Sequence, residues 1–309
     1  MTEVSVYSGN YVPPNKTFAE KYMPQLVHIY ERQPTNPNPP KKVVIFDLDE
    51  TIGSFGDLYF LWKSLHLENT YPPPPESMRR FHQMLSLYPE MFRPGIFAVI
   101  EYIYRKIQKG IAYPVHVYTN TQCDAPAWVD MILSYIEHKV IGPDDSGQRG
   151  RVLFADPICA FKIGGKRVNL KRTTQHKTPA DFVKCSLIPR NTEICFVDDQ
   201  THDSMKTGKI YYIQPPPYYH PLSREEIMDR FSRSELYSVY FSGPNTTKPT
   251  KLFLKPDVSN DVSIGKKIMY YVREFFLLGL PPSQYSRRKR TGCANQRCTR
   301  SKRKPRLDG

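Results

Sequence analysis

Three carboxylates fall within four consecutive positions of the stretch "DLDET": Asp47, Asp49 and Glu50. They stand directly behind "KKVVIF" (41–46), a run of β-formers that contains no acid. Like charges this close repel and raise one another's pKa. An ordinary strand end uses Gly, Asn or a single Asp, so this one demands a positive partner or a chemical use. Further acids follow the same pattern, with Asp198-Asp199 behind "EICFV" and Asp203 four residues beyond. Thr119 closes a third such run, "PVHVYT" (114–119).

Whether these groups meet depends on the elements that carry them. The stretches 43–48, 114–119, 151–156, 193–198 and 209–213 read as buried strands. Helical patterns at 95–110, 125–140 and 178–187 lie between them, and two more are expected at 223–237 and 261–278, with a further short one at 18–31. Strands alternating with helices indicate a parallel sheet covered on both faces, an α/β fold. In such sheets ligands bind beyond the carboxyl ends of the strands, which is where Asp47, Asp49, Thr119, Asp198 and Asp199 stand. Four or five carboxylates converging there require a cation. Ligation by oxygen alone suits Mg²⁺, which keeps several waters and binds through a few carboxylates plus substrate phosphate. A lysine is expected beside it, and Lys177 immediately precedes a helix start in which Thr178 caps and Pro179 takes the first turn.

Composition bounds the rest. The chain has 309 residues, 39% of them hydrophobic, with a mean hydropathy of −0.53. No apolar stretch approaches the ~18 residues that span a bilayer, and the start of the chain lacks a signal-peptide pattern. The six cysteines (123, 159, 185, 195, 293 and 298) show no disulfide-framework spacing, which points to a reducing compartment, cytoplasmic or nuclear. Of the formal charge of +14, the last stretch (287–309) holds ten Lys/Arg against one Asp. Basicity therefore belongs mainly to a tail, expected to be disordered and to serve as a nuclear-import signal or a nucleic-acid-binding arm. Residues 1–40 read as a linker-like segment, 41–215 as the main domain, 216–285 as a helical extension and 286–309 as the tail.

"DLDET", then "VYTNT", a lysine before a helix, and "FVDD" together resemble the ordered signature of the haloacid dehalogenase superfamily of phosphatases, over roughly residues 41–215. Within it, "DLDET" and "FRPGIFAVIEYI" (92–103) are similar to the RNA polymerase II C-terminal-domain phosphatase type, also called NLI-interacting-factor-like. The stretch 176–205 is similar to versions from large DNA viruses. The resemblance implies a Rossmann-like three-layer sandwich with a small cap or none. It implies a Mg²⁺-dependent phosphatase in which Asp47 is the nucleophile that forms an aspartyl-phosphate. Asp49 would act as general acid and base while its carbonyl binds the metal, and Thr51 would support the loop. Thr119 and Asn120 would hold the phosphoryl group, and Lys177 would neutralise charge. Asp199 would ligate the metal, with Asp198 and Asp203 arranging the site. Lys184 is the alternative catalytic lysine, although its mid-helix position would aim it sideways.

Each signal also has a plainer reading. "DLDET" alone could be a strand end and turn, and "GGK" (164–166) reads as a turn because the full phosphate-loop spacing is absent. His202 reads as a neighbour of the aspartates. The stretches between Thr51, Thr119 and Lys177 are too short for an ordinary cap, and an open site suits a phosphorylated protein, with phosphoserine or phosphothreonine favoured by the resemblance. A nucleic-acid end phosphatase is one alternative. A non-catalytic nucleic-acid-binding protein on the same fold is another.

Overall fold

Every residue of strand β1 (Lys42–Phe46, KVVIF) is buried, so neither of its faces can meet water and the strand must lie inside a covered sheet. A computed structural model describes residues 40–65, 74–121, 126–142, 152–241 and 263–278. The helix expected at 18–31 and the basic tail lie outside the described residues, as does the rest of the expected linker before residue 40.

β1 is central in a parallel sheet with β2 (His116–Val117), β5 (Glu193–Val197) and β6 (Ile210–Ile213), in the order β2-β1-β5-β6. The register pairs Phe46 with Val117 on one side and with Val197 on the other. The chain therefore leaves β1 first toward one neighbour and later toward the other. In sheets of this kind the place where that order reverses, here the carboxyl end of β1, is where ligands bind.

Alternate residues feed two cores. Val44, Phe46, Val117, Val197 and Ile213 face the larger one, which is filled by helices α1 (Gly56–Ser64), α2 (Pro75–Ser86), α3 (Ile96–Gln108), α4 (Pro126–Ile141), α6 (Arg224–Ser232), α7 (Glu235–Phe241) and α8 (Ile264–Leu277). Val43, Ile45, Phe196 and Tyr212 face the smaller one, which α5 (Pro179–Ser186) covers with Phe182. Each fully buried side chain of this size contributes roughly 1.5–3 kcal/mol relative to exposure.

Several elements differ from the sequence reading for identifiable reasons. The strand expected at 151–156 is not continuous; among the described residues it touches β2 only through isolated bridges, Val115 with Phe154 and Tyr118 with Ile158. Ala155 donates to the Val115 carbonyl at 2.9 Å. In an even ladder the amide two residues on would reach Val117, but that residue is Pro157 and has no N–H. Ile158 donates to Val117 instead, at 2.8 Å and one residue late. Helices α1 and α2 were not expected, although Pro75 in the first turn of α2 is a start signal. The helix expected at 223–237 is two: α6, opened by a Ser223–Glu226 capping box, and α7. "GGK" is the turn of a small hairpin, β3 (Lys162–Ile163) and β4 (Lys166–Arg167), with Gly164 and Gly165 at φ of 55° and 79°. Helix α8, by contrast, falls within the expected 261–278, and Ile268, Val272 and Phe275 enter the same core as β1.

Candidate active site

The sheet sets the positions of the acidic groups through its own ladder. Past the strand ends, the Asp47 amide donates to Val197 (2.9 Å), Asp198 to Ile213 (3.1 Å), Tyr118 to Phe46 (2.9 Å) and Thr119 to Ile158 (2.9 Å). Asp47, Thr119 and Asp198 are thereby placed side by side on one edge.

The turn after Asp47 is tight. The Leu48 carbonyl accepts from Ile52 (2.9 Å) and Gly53 (3.3 Å), and Glu50 takes a left-handed φ of 57°. A β-carbon on Gly53 would lie 2.5 Å from the Met91 carbonyl oxygen, so only glycine fits there. Buried Arg93 clamps the turn from below, donating to the carbonyls of Thr51 (2.7 Å), Glu50 and Pro216 (2.8 Å). Thr51 locks the turn to the next strand. Its hydroxyl donates to Asp199 Oδ1 at 2.9 Å and accepts from the Asp199 amide at 3.0 Å.

Lys177 reaches this edge from the start of α5, whose N-cap is Thr178, with its side chain accepting from the Asp181 amide at 3.1 Å. Its ammonium donates to Asp47 Oδ1 and Asp198 Oδ2, both at 2.6 Å. Lysine has three N–H donors. Among the described residues its hydrogen bonds go to these two carboxylates alone, which leaves one donor for an anionic group. Lys184, the alternative lysine, lies exposed near the end of α5 and does not reach the cluster.

Charge balance follows from this packing. Burial is the largest influence on Asp47 and, with Asp198 beside it, pushes the carboxyl up to about 7 against the pull of Lys177. Asp49 is pushed up to about 6, again chiefly by burial, and bonds to the Thr121 side chain. Asp199 is raised by burial and by Asp198. For Asp198 burial works in the same direction, but Lys177 and His202 prevail and hold it below the ordinary range. Lys177 is raised despite its burial, because Asp47 and Asp198 favour its charged form. His202 Nε2 sits 3.1 Å from Asp198 Oδ2, a neighbour of the cluster as expected.

Oxygens of Asp47, Asp198 and Asp199 all lie within 4.8 Å of one another, and all three residues are buried. An all-oxygen donor set, short of positive charge enough to hold Asp47 near neutrality, fits a small hard cation. Both oxygens of Asp198 already accept, Oδ2 from Lys177 and Oδ1 from the Gln200 amide at 2.8 Å, as do both of Asp199, Oδ1 from the Thr51 hydroxyl at 2.9 Å and Oδ2 from Gln200 Nε2 at 2.6 Å. Asp203 is not part of the group. Its side chain is 92% exposed and faces Lys206 at 3.8 Å, because a short 3₁₀ turn (Asp203–Met205) carries it away from the edge.

Arg172 was not singled out from sequence, yet its side chain is fully buried. Its guanidinium donates to the carbonyls of Thr119 (2.9 Å), Cys159 (2.7 Å), Thr174 (3.1 Å) and Gln175 (2.8 Å), and to Asn120 Oδ1. It therefore ties the Thr119–Asn120 loop to the segment that delivers Lys177. Asp181 completes the tie by accepting from the amides and hydroxyls of Thr173 and Thr174.

Comparisons of the chain with protein-family models, with curated proteins and with solved structures found no match. The functional reading therefore rests on the site itself.

Proposed function

We propose that this protein is a Mg²⁺-dependent phosphomonoester hydrolase of the haloacid dehalogenase type, built on a Rossmann-like three-layer frame with a helical C-terminal extension and acting through an aspartyl-phosphate. One observation carries the reading: Lys177 bridges Asp47 and Asp198 at 2.6 Å each, at the point where a parallel sheet reverses its strand order. A structural ion pair would balance its charges. Here the carboxylates exceed the cations, and one lysine donor is left over.

In the proposed reaction an Asp47 oxygen attacks phosphorus and the bond to the leaving oxygen breaks. Asp49, with its carboxyl near 6, gives its proton to that oxygen. Water then attacks phosphorus, Asp49 takes the proton, and the acyl-phosphate bond breaks to return Asp47 and release inorganic phosphate. The Thr119 hydroxyl accepts from the Thr121 amide at 3.1 Å, which turns its own hydrogen toward a phosphoryl oxygen; Asn120 adds a second contact. Lys177 stabilises the charge that develops in the transition state. Bound through Asp47, the Asp49 carbonyl and Asp199, with Asp198 behind, Mg²⁺ would offset the charge of the phosphoryl oxygens.

A phosphorylated serine or threonine in a protein is the proposed substrate, since the inserts around the site are too short to enclose a small molecule. A reducing compartment, cytoplasmic or nuclear, is the proposed setting. The first test is turnover of a generic aryl phosphate with and without Mg²⁺. Asp47→Asn is expected to cut kcat by at least ~10³-fold while leaving the thermal unfolding profile intact, as removal of a nucleophile does. Residual activity above about one part in a hundred would take the nucleophile's role from Asp47.

A further inference from the structure

Arginines on α2 and α3, and on and just past α6, pair with carboxylates. Arg79 and Arg80 meet Glu76, Arg105 meets Glu101, Arg230 meets Glu90 and Arg233 meets Asp229. The β3–β4 hairpin and the segment that follows it concentrate basic side chains without acidic ones. Lys162, Lys166, Arg167 and Lys171 are all exposed. None has a carboxylate within ion-pair distance among the described residues. From Phe161 to Lys177 the chain contains no Asp or Glu at all. Like charges crowded on so small an element destabilise it unless something negative arrives.

This patch is joined to the site by a short chain of bonds. Arg167 donates to the Arg172 carbonyl at 2.7 Å, and Arg172 donates to the Thr119 carbonyl at 2.9 Å. The same surface is also apolar in places. Val168 is 40% exposed and Leu170 79%. Asn169 contacts Cys185 at 3.6 Å, which sets this stretch against the end of α5, where Leu187 is 72% exposed.

Resting on the phosphatase reading of the site, we infer that the hairpin and the segment after it dock an acidic peptide segment flanking the phosphorylated residue, with apolar side chains seated on Leu170 and Leu187. Charge complementarity supplies the attraction, and a peptide supplies partners for both kinds of side chain. A sugar–phosphate backbone would leave the leucines idle, and single-stranded nucleic acid is held through exposed aromatic platforms. The hairpin's one aromatic ring, Phe161, is half-buried and covered by Lys162 (5.5 Å) and Arg167 (5.1 Å).

The test measures binding of labelled peptides to the full chain by fluorescence anisotropy, which needs no turnover. A peptide with acidic and leucine flanks is compared with one of neutral flanks and with a 5′-phosphorylated oligonucleotide. The acidic peptide is expected to bind at least ~10-fold tighter than the neutral one at low salt, as a few rim ion pairs supply, and the advantage should shrink as salt rises. Lys162→Gln/Lys166→Gln/Lys171→Gln should remove most of that advantage, and Leu170→Ser should weaken both peptides. Equal binding of the two peptides, or tighter binding of the oligonucleotide, overturns the inference. Aryl phosphate turnover is read in parallel. If it is absent while the acidic preference stands, the hydrolase reading fails and the docking surface survives; if turnover is present without the preference, the reverse holds.

Discussion

Two buried lysines stand at opposite ends of β1, and they are built to different ends. Lys42, at the start of the strand, donates to Glu193 and to the carbonyls of Phe275 and Leu278, each at 3.0 Å, which close the last turn of α8. Its three donors meet three acceptors, only one of them charged. Burial outweighs Glu193 and lowers its pKa. Lys177, at the other end, faces two carboxylates with a third and a fourth close by, keeps a donor unspent, and is raised. A saturated ammonium with neutral acceptors staples a helix to a sheet. One set among surplus carboxylates is poised for an incoming anion. Burial alone does not separate the two, since Lys42 and Lys177 are 3% and 2% exposed.

The comparison breaks first on activity. Lys177→Ala is expected to lower kcat on an aryl phosphate by ~10²-fold or more, the usual cost of losing a transition-state charge contact. Lys184→Ala, on the exposed end of α5, should leave it within about two-fold. Steady-state kinetics on the two variants decides the matter, and a reversed order would move the catalytic role to Lys184.

Next comes stability. Lys42→Ala leaves Glu193 facing a buried gap and strips two helix carbonyls of their donor. It should cost about 3 kcal/mol in denaturant unfolding, with kcat of the folded fraction unchanged. A large loss of kcat at unchanged stability would make the two lysines alike after all.

The smallest effect concerns a buried acid on the same helix. Burial pushes Glu274 up to about 7, and it accepts from the Tyr211 hydroxyl at 2.5 Å. The folded state therefore holds this proton more tightly than the unfolded chain, whose ordinary value is 4.5. Its contribution to stability is complete below that value and is lost as pH rises through about 7. Glu274→Gln should accordingly be more stable than the parent by about 2 kcal/mol at pH 8, with the two melting curves converging toward pH 4.5. A gap that stays constant with pH would show that this carboxyl does not titrate on unfolding.

What could be read from sequence was local, and what escaped was long-range. β1, β2, β5, β6 and helices α3, α4, α5 and α8 fall where periodicity put them; Asp47, Thr119, Asp198 and Asp199 follow such strands, and Lys177 comes just before such a helix. Thr178 signalled its cap through one neighbouring amide. Arg172 sent no comparable signal. It lies in a basic run that looks solvated, and its acceptors come from residues 119, 120, 159, 174 and 175, which only the folded chain brings together. Asp203 failed the other way: its spacing from Asp199 suggested a shared edge, but the 3₁₀ turn redirected it.

The Lys42 staple also bears on how the molecule is made. Its partners Phe275 and Leu278 lie 233 and 236 positions further along the chain, so the first strand of the sheet waits for one of the last described helices. Loop-closure entropy must be met before so distant a contact is rewarded, and folding slows as such contacts dominate. During synthesis the amino end of β1 stays uncapped and its lysine has only Glu193 to pair with until α8 has emerged. The acidic edge, gathered from residues 47 to 199, needs no such late partner and can assemble before the far end of its own central strand is sealed.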